Sequence, residues 1–401
     1  MIKYNKKLTF IMFFLLLFPI VSCAPEEKSA KKEQPAEVEQ DITKRISWKD
    51  LQANTPAHIN KKISDTYTID ADIHVPAAPK ADVLFAKLKC LDEETAVSFF
   101  YKGKTPKREM DSTNQIVTYQ NGSSSLGITE DYMYYKTKDA NYLKLATEDF
   151  SSRWEVEGAN ATTYFDEVYT KENLDFMNRE EAVMEVFRSL QKLWGDNVAE
   201  DPEVYALDYE TLQKQQDKEI KEFQQMAEEY SSEDDVSEYY EIKKKFTQED
   251  NCYLMYFTMI QNKIPVTKNS HDILGGERSL SGSVAEVKFS PKGIIDMHCR
   301  GIYQVESVAE SPDTFISVEQ ALQKAYELKN AIISADIITI KSVDFEYVPS
   351  PCSKNYNEVK LVPTWTLTLD SARSISEKGE EHTTKRKGIV YINAVTGEEL
   401  E

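Results

Sequence analysis

Fourteen uncharged, mostly apolar residues, Leu8 to Val21 (LTFIMFFLLLFPIV), follow a start that carries Lys3, Lys6 and Lys7, and they precede Ser22-Cys23. No other segment restricts the chain as strongly, because a run this apolar must enter a bilayer, enter a core or be removed. At 1.5 Å per residue fourteen helical residues span about 21 Å, short of the roughly 30 Å hydrocarbon core, which argues against a retained spanning helix. A basic start, an apolar middle and a small residue at the end make the pattern of a signal peptide over residues 1–22, removed on export.

Ile20-Val21-Ser22-Cys23 closely resembles the lipobox of bacterial lipoproteins: an aliphatic residue, a tolerated one, a small one, then cysteine. The resemblance implies that Cys23 is diacylglyceryl-modified before cleavage and becomes the lipidated N-terminus of a membrane-anchored protein facing outside the cytoplasm. Two or three acyl chains, at about 0.8 kcal/mol per buried methylene, anchor stably where one is marginal. Residues 23–45 then read as a flexible tether. Ala24–Arg45 (APEEKSAKKEQPAEVEQDITKR) has almost no large apolar side chain to offset the entropy of ordering. About 20 such residues, at ~5–6 Å × √n, hold a folded body on the order of 25 Å from the bilayer.

Charge narrows the partners. Lys+Arg 48 against Asp+Glu 68 gives −20, and loss of the three signal lysines takes this to −23. Such an excess disfavours nucleic acid and repels anionic headgroups, so the membrane is reached through lipid on Cys23 and no nucleic-acid partner is expected. With 41% hydrophobic and 11% aromatic residues the remaining 356 residues, from Ile46 on, can build cores, and their length allows two or three domains.

Trp48 and Leu51 mark a short helix, after which Tyr67, Ile69, Ala71, Ile73 and Val75 alternate with polar residues up to Pro76, a strand with one wet face. Asp70 and Asp72 share that wet face; a solvated face is the plainer reading beside a chelating pair, because the oxygen-rich loop of a hard-cation site is missing. Leu84, Ala86, Leu88 and Cys90 alternate again, and Asp92-Glu-Glu opens a helix to Tyr101. Gln115–Leu145 reads as short strands broken at Asn121-Gly122 and Asp139-Ala-Asn141. The tyrosines 132, 134, 135 and 142 suit a core or a sugar-stacking surface. Asn178-Arg-Glu-Glu181 is a capping box for a helix stopped at Gly195, and a longer helix runs from Leu212 to about Tyr230. Cys252–Ile260 is a buried strand, and Ser290-Pro-Lys-Gly293 turns a hairpin between Ser283–Phe289 and Ile294–Cys299. Ser317-Val-Glu-Gln320 caps another helix. A strand at Ile337–Val348, a loop with Pro349, Pro351 and Cys352, a strand at Lys360–Leu369, a charged arm and a last strand at Gly388–Ala394 follow.

A capped helix followed by a proline-interrupted strand and a hairpin thus occurs twice. The expected fold class is α+β, with antiparallel sheets each packed by capped helices. The expected domains are a β-rich N-terminal one over 46–175, a helix-plus-sheet module over 176–310 and a second over 311–401. The ending Gly388-Ile-Val-Tyr-Ile-Asn-Ala-Val-Thr-Gly-Glu398, with Val362-Pro-Thr-Trp365 and the helix before it, resembles the PepSY-type module of exported bacterial proteins; Asn393 stands where Asp is usual and favours the same turn. Gln261-Asn-Lys-Ile-Pro-Val266 resembles a diverged first copy. Lipobox, tether, the strand Ile69–Pro76 and this ending together resemble clostridial lipoproteins of a domain family with no assigned function. That likeness implies surface location and an α+β fold, and no reaction.

Patterns of catalysis are missing from the sequence. His58, His74, His271, His298 and His382 include no i, i+4 pair around a Glu, and neither a Gly-x-Ser-x-Gly elbow nor a phosphate loop occurs. His298 and Cys299 are adjacent and face opposite sides of a strand. Glu380-Glu381-His382 reads as solvated charge. With Cys23 lipidated, Cys90, Cys252, Cys299 and Cys352 remain, spaced too widely for a structural zinc site. Cys252 and Cys299 are the candidate disulfide, and buried thiols are the alternative. No catalytic residue, metal or cofactor is implied.

The resulting expectation is a membrane-anchored lipoprotein with a binding or regulatory body that engages another membrane or extracellular protein. A hydrolase of cell-wall material or peptide with a spatially assembled site, and a solute-binding lipoprotein, are the alternatives. Cys23→Ala should move the protein from the membrane fraction to the medium; unchanged membrane retention would refute the anchor.

Overall fold

The structure is a computed structural model that describes residues 45–89, 91–113, 115–147, 167–229, 235–273, 278–331, 336–352, 357–377 and 380–400. Cys23, the signal and tether up to residue 44, and Cys90 lie outside the described residues, as do the side chains of Glu380, Glu381 and His382. Thr43–Glu401 forms one compact unit. Among the described residues no helix is long and apolar enough to cross a membrane.

The chain opens with α1 (Trp48–Asn54), whose first turn is held by the Ser47 side chain accepting from the Asp50 amide. Strands β1 (His58–Lys62), β2 (Tyr67–His74) and β3 (Val83–Leu88) follow, then α2 (Glu93–Tyr101), capped by Asp92. Next come β4 (Lys107–Asp111), β5 (Ile116–Asn121), β6 (Ser124–Ile128), β7 (Tyr132–Lys136) and α3 (Lys138–Leu143). After α4 (Arg179–Trp194), β8 (Glu203–Leu207) and α5 (Tyr209–Glu229), the chain returns through β9 (Cys252–Thr258). Two small hairpins, β10 (Ile260–Gln261) with β11 (Ile264–Pro265) and β12 (His271–Ile273) with β13 (Arg278–Leu280), precede β14 (Val284–Ser290), β15 (Gly293–Arg300) and β16 (Tyr303–Glu310). The last elements are α6 (Val318–Ala331), β17 (Ile337–Pro351), β18 (Glu358–Glu377) and β19 (Glu380–Asn393).

These strands build two large sheets, and the fold is α+β. The first runs β1-β2-β17-β18-β3-β16, with β19 pairing β18 beside β3; the second runs β4-β5-β6-β7-β15-β14-β9-β8. All pairs within the two sheets are antiparallel except β2 with β17. Each sheet contains a capped helix followed by three antiparallel strands: α4 before β9, β14 and β15, and α6 before β17, β18 and β19. Around α6 the capping box is closed in both directions, Ser317 N–H to Gln320 Oε1 at 2.7 Å and Gln320 N–H to Ser317 Oγ at 3.3 Å.

Strand pairing cuts across the consecutive boundaries expected at residues 175 and 310. Residues 58–88 pair with 303–393, whereas 107–136 pair with 203–300, so the N-terminal stretch is divided between the sheets. The reason is physical: alternation marks a strand but not its partner, and β2 finds its parallel neighbour about 270 residues further on.

The first sheet buries one face. Val343, Phe345 and Tyr347 of β17, Trp365 and Leu367 of β18 and Ile392 of β19 pack with Leu51 of α1 and Val318, Ala321 and Ala325 of α6. At its centre Trp48, Phe345 and Trp365 meet at ring separations of 4.9 and 5.0 Å. Trp365 is fully buried and its indole N–H reaches the Ile316 carbonyl at 3.1 Å. In the second sheet, one face takes α2 and α4 over Met255, Val287 and Met297, and the other takes the start of α5 over Leu207 and Leu254. Trp365→Ala should lower the unfolding free energy by about 3–5 kcal/mol, read in a urea titration, and a loss below about 1 kcal/mol would refute its central place in the core.

Candidate functional site

Two groups of polar side chains stand where an apolar sheet face would otherwise be expected. The first lies on the second sheet, on the face away from α4. Residues directly opposite one another across five strands make a row there: Glu203, Tyr256, Glu286, His298 and Tyr134. The row ends at Gly127, where an added Cβ would stand 2.1 Å from a Tyr134 ring carbon, so glycine admits the ring. The adjacent row sets Lys288 of β14 against Asp296 of β15.

Four side chains around Asp296 are linked to one another. The Tyr132 hydroxyl is hydrogen-bonded to His298 Nδ1, His298 Nε2 lies 3.0 Å from Asp296 Oδ1, and Lys288 Nζ donates to Asp296 Oδ2 at 2.9 Å. Glu286 stands 3.7 Å from the same ammonium. Lys288 and Asp296 are 8% and 5% exposed. Burial alone would raise the Asp296 carboxyl, but the Lys288 ammonium and the His298 ring outweigh it and hold the group at about 2. Burial pulls Lys288 the other way, and Asp296 and Glu286 together keep it above the ordinary lysine range. Mutual pairing marks this as a structural ion network, where removing one partner strands a buried charge.

The second group lines a cleft of about 700 Å³ between the polar face of the first sheet and the β8–β9 end of the second. Alternation along β17 places Ser342, Asp344 and Glu346 on the face opposite Val343, Phe345 and Tyr347. Directly across on β18 stand Thr368, Thr366 and Thr364. Asp344 pairs with His74 of β2 at 2.8 Å, and that contact raises the His74 imidazole above its ordinary value. Lys268 pairs with Glu203 of β8. Burial, and next the charge of Asp344, push the Glu346 carboxyl up to about 7, against the opposing influence of the Thr366 and Thr267 hydroxyls and Lys268. The third lining cation is Lys387 of β19. Such a cleft, half apolar with a few convergent charged and hydroxyl groups, has the form of a small-ligand site.

The residues singled out by sequence fall in several places. Asp70 and Asp72 are on the exposed side of β2, both beside His58, at 3.4 and 2.8 Å. Tyr135 is core, stacked on Phe100 at 4.2 Å, while Tyr132 and Tyr134 face the other way beside His298, and Tyr142 lies on α3. Cys299 points into the α4 core, opposite His298. Cys252 and Cys299 are not joined, which corrects the disulfide expectation. They lie on β9 and β15 with β14 between them, and they pack into different cores, beyond the ~7 Å Cα separation a disulfide tolerates. Among the described residues no group of three or more His, Cys, Asp or Glu is arranged to hold a metal ion. Glu346 and its threonine wall went unnoticed in the sequence. Their only signal is the alternation of polar with mostly apolar residues over 342–347 of β17 and 364–369 of β18.

No family model matches the chain, and no curated protein matches it. Among solved structures it is similar to an uncharacterized protein from Eubacterium rectale ATCC 33656, with a TM-score of 0.65 and 20% identity, over 86% of this chain and 94% of that one. The likeness is one of fold.

Because Asp296 is held below its ordinary 3.8, its stabilisation is complete above about pH 4 and is lost as the pH falls toward 2. Over that window the wild type should lose about 2 kcal/mol that Asp296→Asn does not lose, the variant starting about 3–5 kcal/mol lower at neutral pH. Parallel stability curves in acid melts would refute the ion network.

Proposed function

We propose that this chain is a lipid-anchored, extracytoplasmic binding protein. In this reading Cys23 carries the acyl chains, residues 23–45 are the tether, and the body works without catalysis by taking a small polar ligand or a short peptide segment into the cleft. The resemblance of its helix-plus-meander units to PepSY-type modules belongs to the same reading, with an extracellular or membrane protein as the source of a peptide ligand. The observation that carries it is the cleft itself, a concave site of about 700 Å³ at which β2, β8, β17, β18 and β19 converge. A convex surface there would have favoured a broad protein interface instead.

One observation favours a hydrolase as a second reading: two carboxylates, Asp344 and Glu346, share the cleft, one with a raised pKa. Their placement argues for binding. They project side by side from one strand and Asp344 is taken by His74, whereas a hydrolytic acid and base flank the scissile bond from two sides. A test uses full-length protein purified from membranes in mild detergent. Ile389 lines the cleft, half-buried, and Ile389→Trp should fill it. Molecules released on denaturing the wild type and identified by mass spectrometry should fall at least tenfold in the variant. Equal release from both proteins, at equal melting temperature, would refute cleft binding.

A further inference from the structure

We propose that the cleft is built to hold a primary ammonium group, with Glu346 as its counter-charge. The inference rests on the binding reading above and names the ligand chemistry. Three carboxylates line the cleft, and two of them already have cations: Asp344 has His74, and Glu203 has Lys268. For Glu346 no lysine, arginine or histidine nitrogen among the described residues comes within ion-pair distance. Beside it Thr366 is 2% exposed and lines the same cleft; its hydroxyl bears on the Glu346 carboxyl, and its oxygen accepts from no donor. A buried hydroxyl oxygen left without a donor costs free energy unless a ligand completes it.

The two deficits are complementary to one ligand group. An ammonium brings three N–H donors and one positive charge in a compact head. Glu346 supplies the charge and one acceptor, and the hydroxyls of Thr366 and its wall neighbours Ser342 and Thr368 supply the rest. An anionic head would instead meet an unpaired carboxylate. A neutral head would leave that carboxylate without a counter-charge. Lys387, on the same cleft, faces a ligand that carries a carboxylate as well, so the fitting sources are a free amino acid or the amino terminus of a short peptide.

Occupancy by a cation requires the ionised carboxylate, so binding at neutral pH should release a proton and weaken in acid. Glu346 is surrounded by Asp344 on its own strand, His74 on β2, Glu203 on β8, Lys268 on the segment after β11, and Lys387 and Tyr391 on β19. Of these, His74, raised by its bond to Asp344, also gains positive charge as the pH falls, which works in the same direction on an incoming ammonium.

Full-length protein in detergent would be equilibrated with three probes: an equimolar mixture of free amino acids, a randomised lysine-free tetrapeptide library with free amino termini, and the same library N-acetylated. Wild type should retain at least one free-amine probe tenfold or more over the acetylated library. That preference should drop several-fold per pH unit below 7 and vanish in Glu346→Gln. Thr366→Val, nearly isosteric, should reduce it several-fold at unchanged melting temperature, so the answer does not depend on one variant folding. Retention of the amino-acid mixture identifies a solute, and retention of the peptides alone identifies a chain terminus; both support the assignment. Equal retention of free and acetylated libraries would overturn the ammonium assignment and leave cleft binding standing. Retention of no probe would overturn both.

Discussion

The parallel ladder between β2 and β17 is the constraint on which the other parts depend. Ile338 lies opposite Tyr67 and Asp344 opposite His74, so two segments some 270 residues apart must run side by side in the same direction. A parallel pair needs a crossover, and here the crossover contains the whole second sheet. Loop entropy permits this, because each doubling of loop length costs only about 0.6 kcal/mol. The ladder also fixes which face of β17 turns outward, and with it the line of Ser342, Asp344 and Glu346. The segment after β11 then lies along the edge of β17 that β2 leaves open. The Thr267 amide donates to the Tyr347 carbonyl at 2.8 Å, and Val266 bridges to the same residue, which brings Lys268 to the cleft.

The molecule treats the charged groups on its two sheets in two different ways. On the second sheet Lys288, Asp296, His298 and Tyr132 each find a partner among themselves. In the cleft, Glu346 has only hydroxyls, those of Thr366 and Thr267, as close partners, while the nearby cations are taken by Asp344 and Glu203. Buried polar groups are ordinarily satisfied, so the second arrangement is the one that calls for a missing component.

Local features were legible in the sequence wherever neighbouring residues alone decide. The Asp92, Asn178 and Ser317 caps, the alternation of β2 and the turn at Ser290–Gly293, with Gly293 at φ 91°, all come from interactions within a few residues. Misreadings arose where distant partners decide. Asp139-Ala-Asn141, taken as a break between strands, lies inside α3 because Ala140 and Leu143, three apart, both bury their side chains. Pro349 and Pro351, taken as a loop, extend β17. Tyr347 shows that its odd-numbered residues point their backbone away from β18, on the side where β2 has ended, so the missing N–H groups cost no ladder bond. The cleft could not be read at all, since Glu346, Lys268 and Glu203 come from three separated stretches and are brought together only by the sheets.

The β2–β17 ladder also orders events in time. Synthesis delivers β1, β2 and β3 some 260 residues before β17, which at 5–20 residues per second is a wait of roughly 13–50 s. Throughout it the future centre of the first sheet is an unpaired strand edge, the kind of surface that nucleates association between chains. The charged side chains along β1 and the outward face of β2, Lys61, Lys62, Asp70 and Asp72, are where the chain can resist that association.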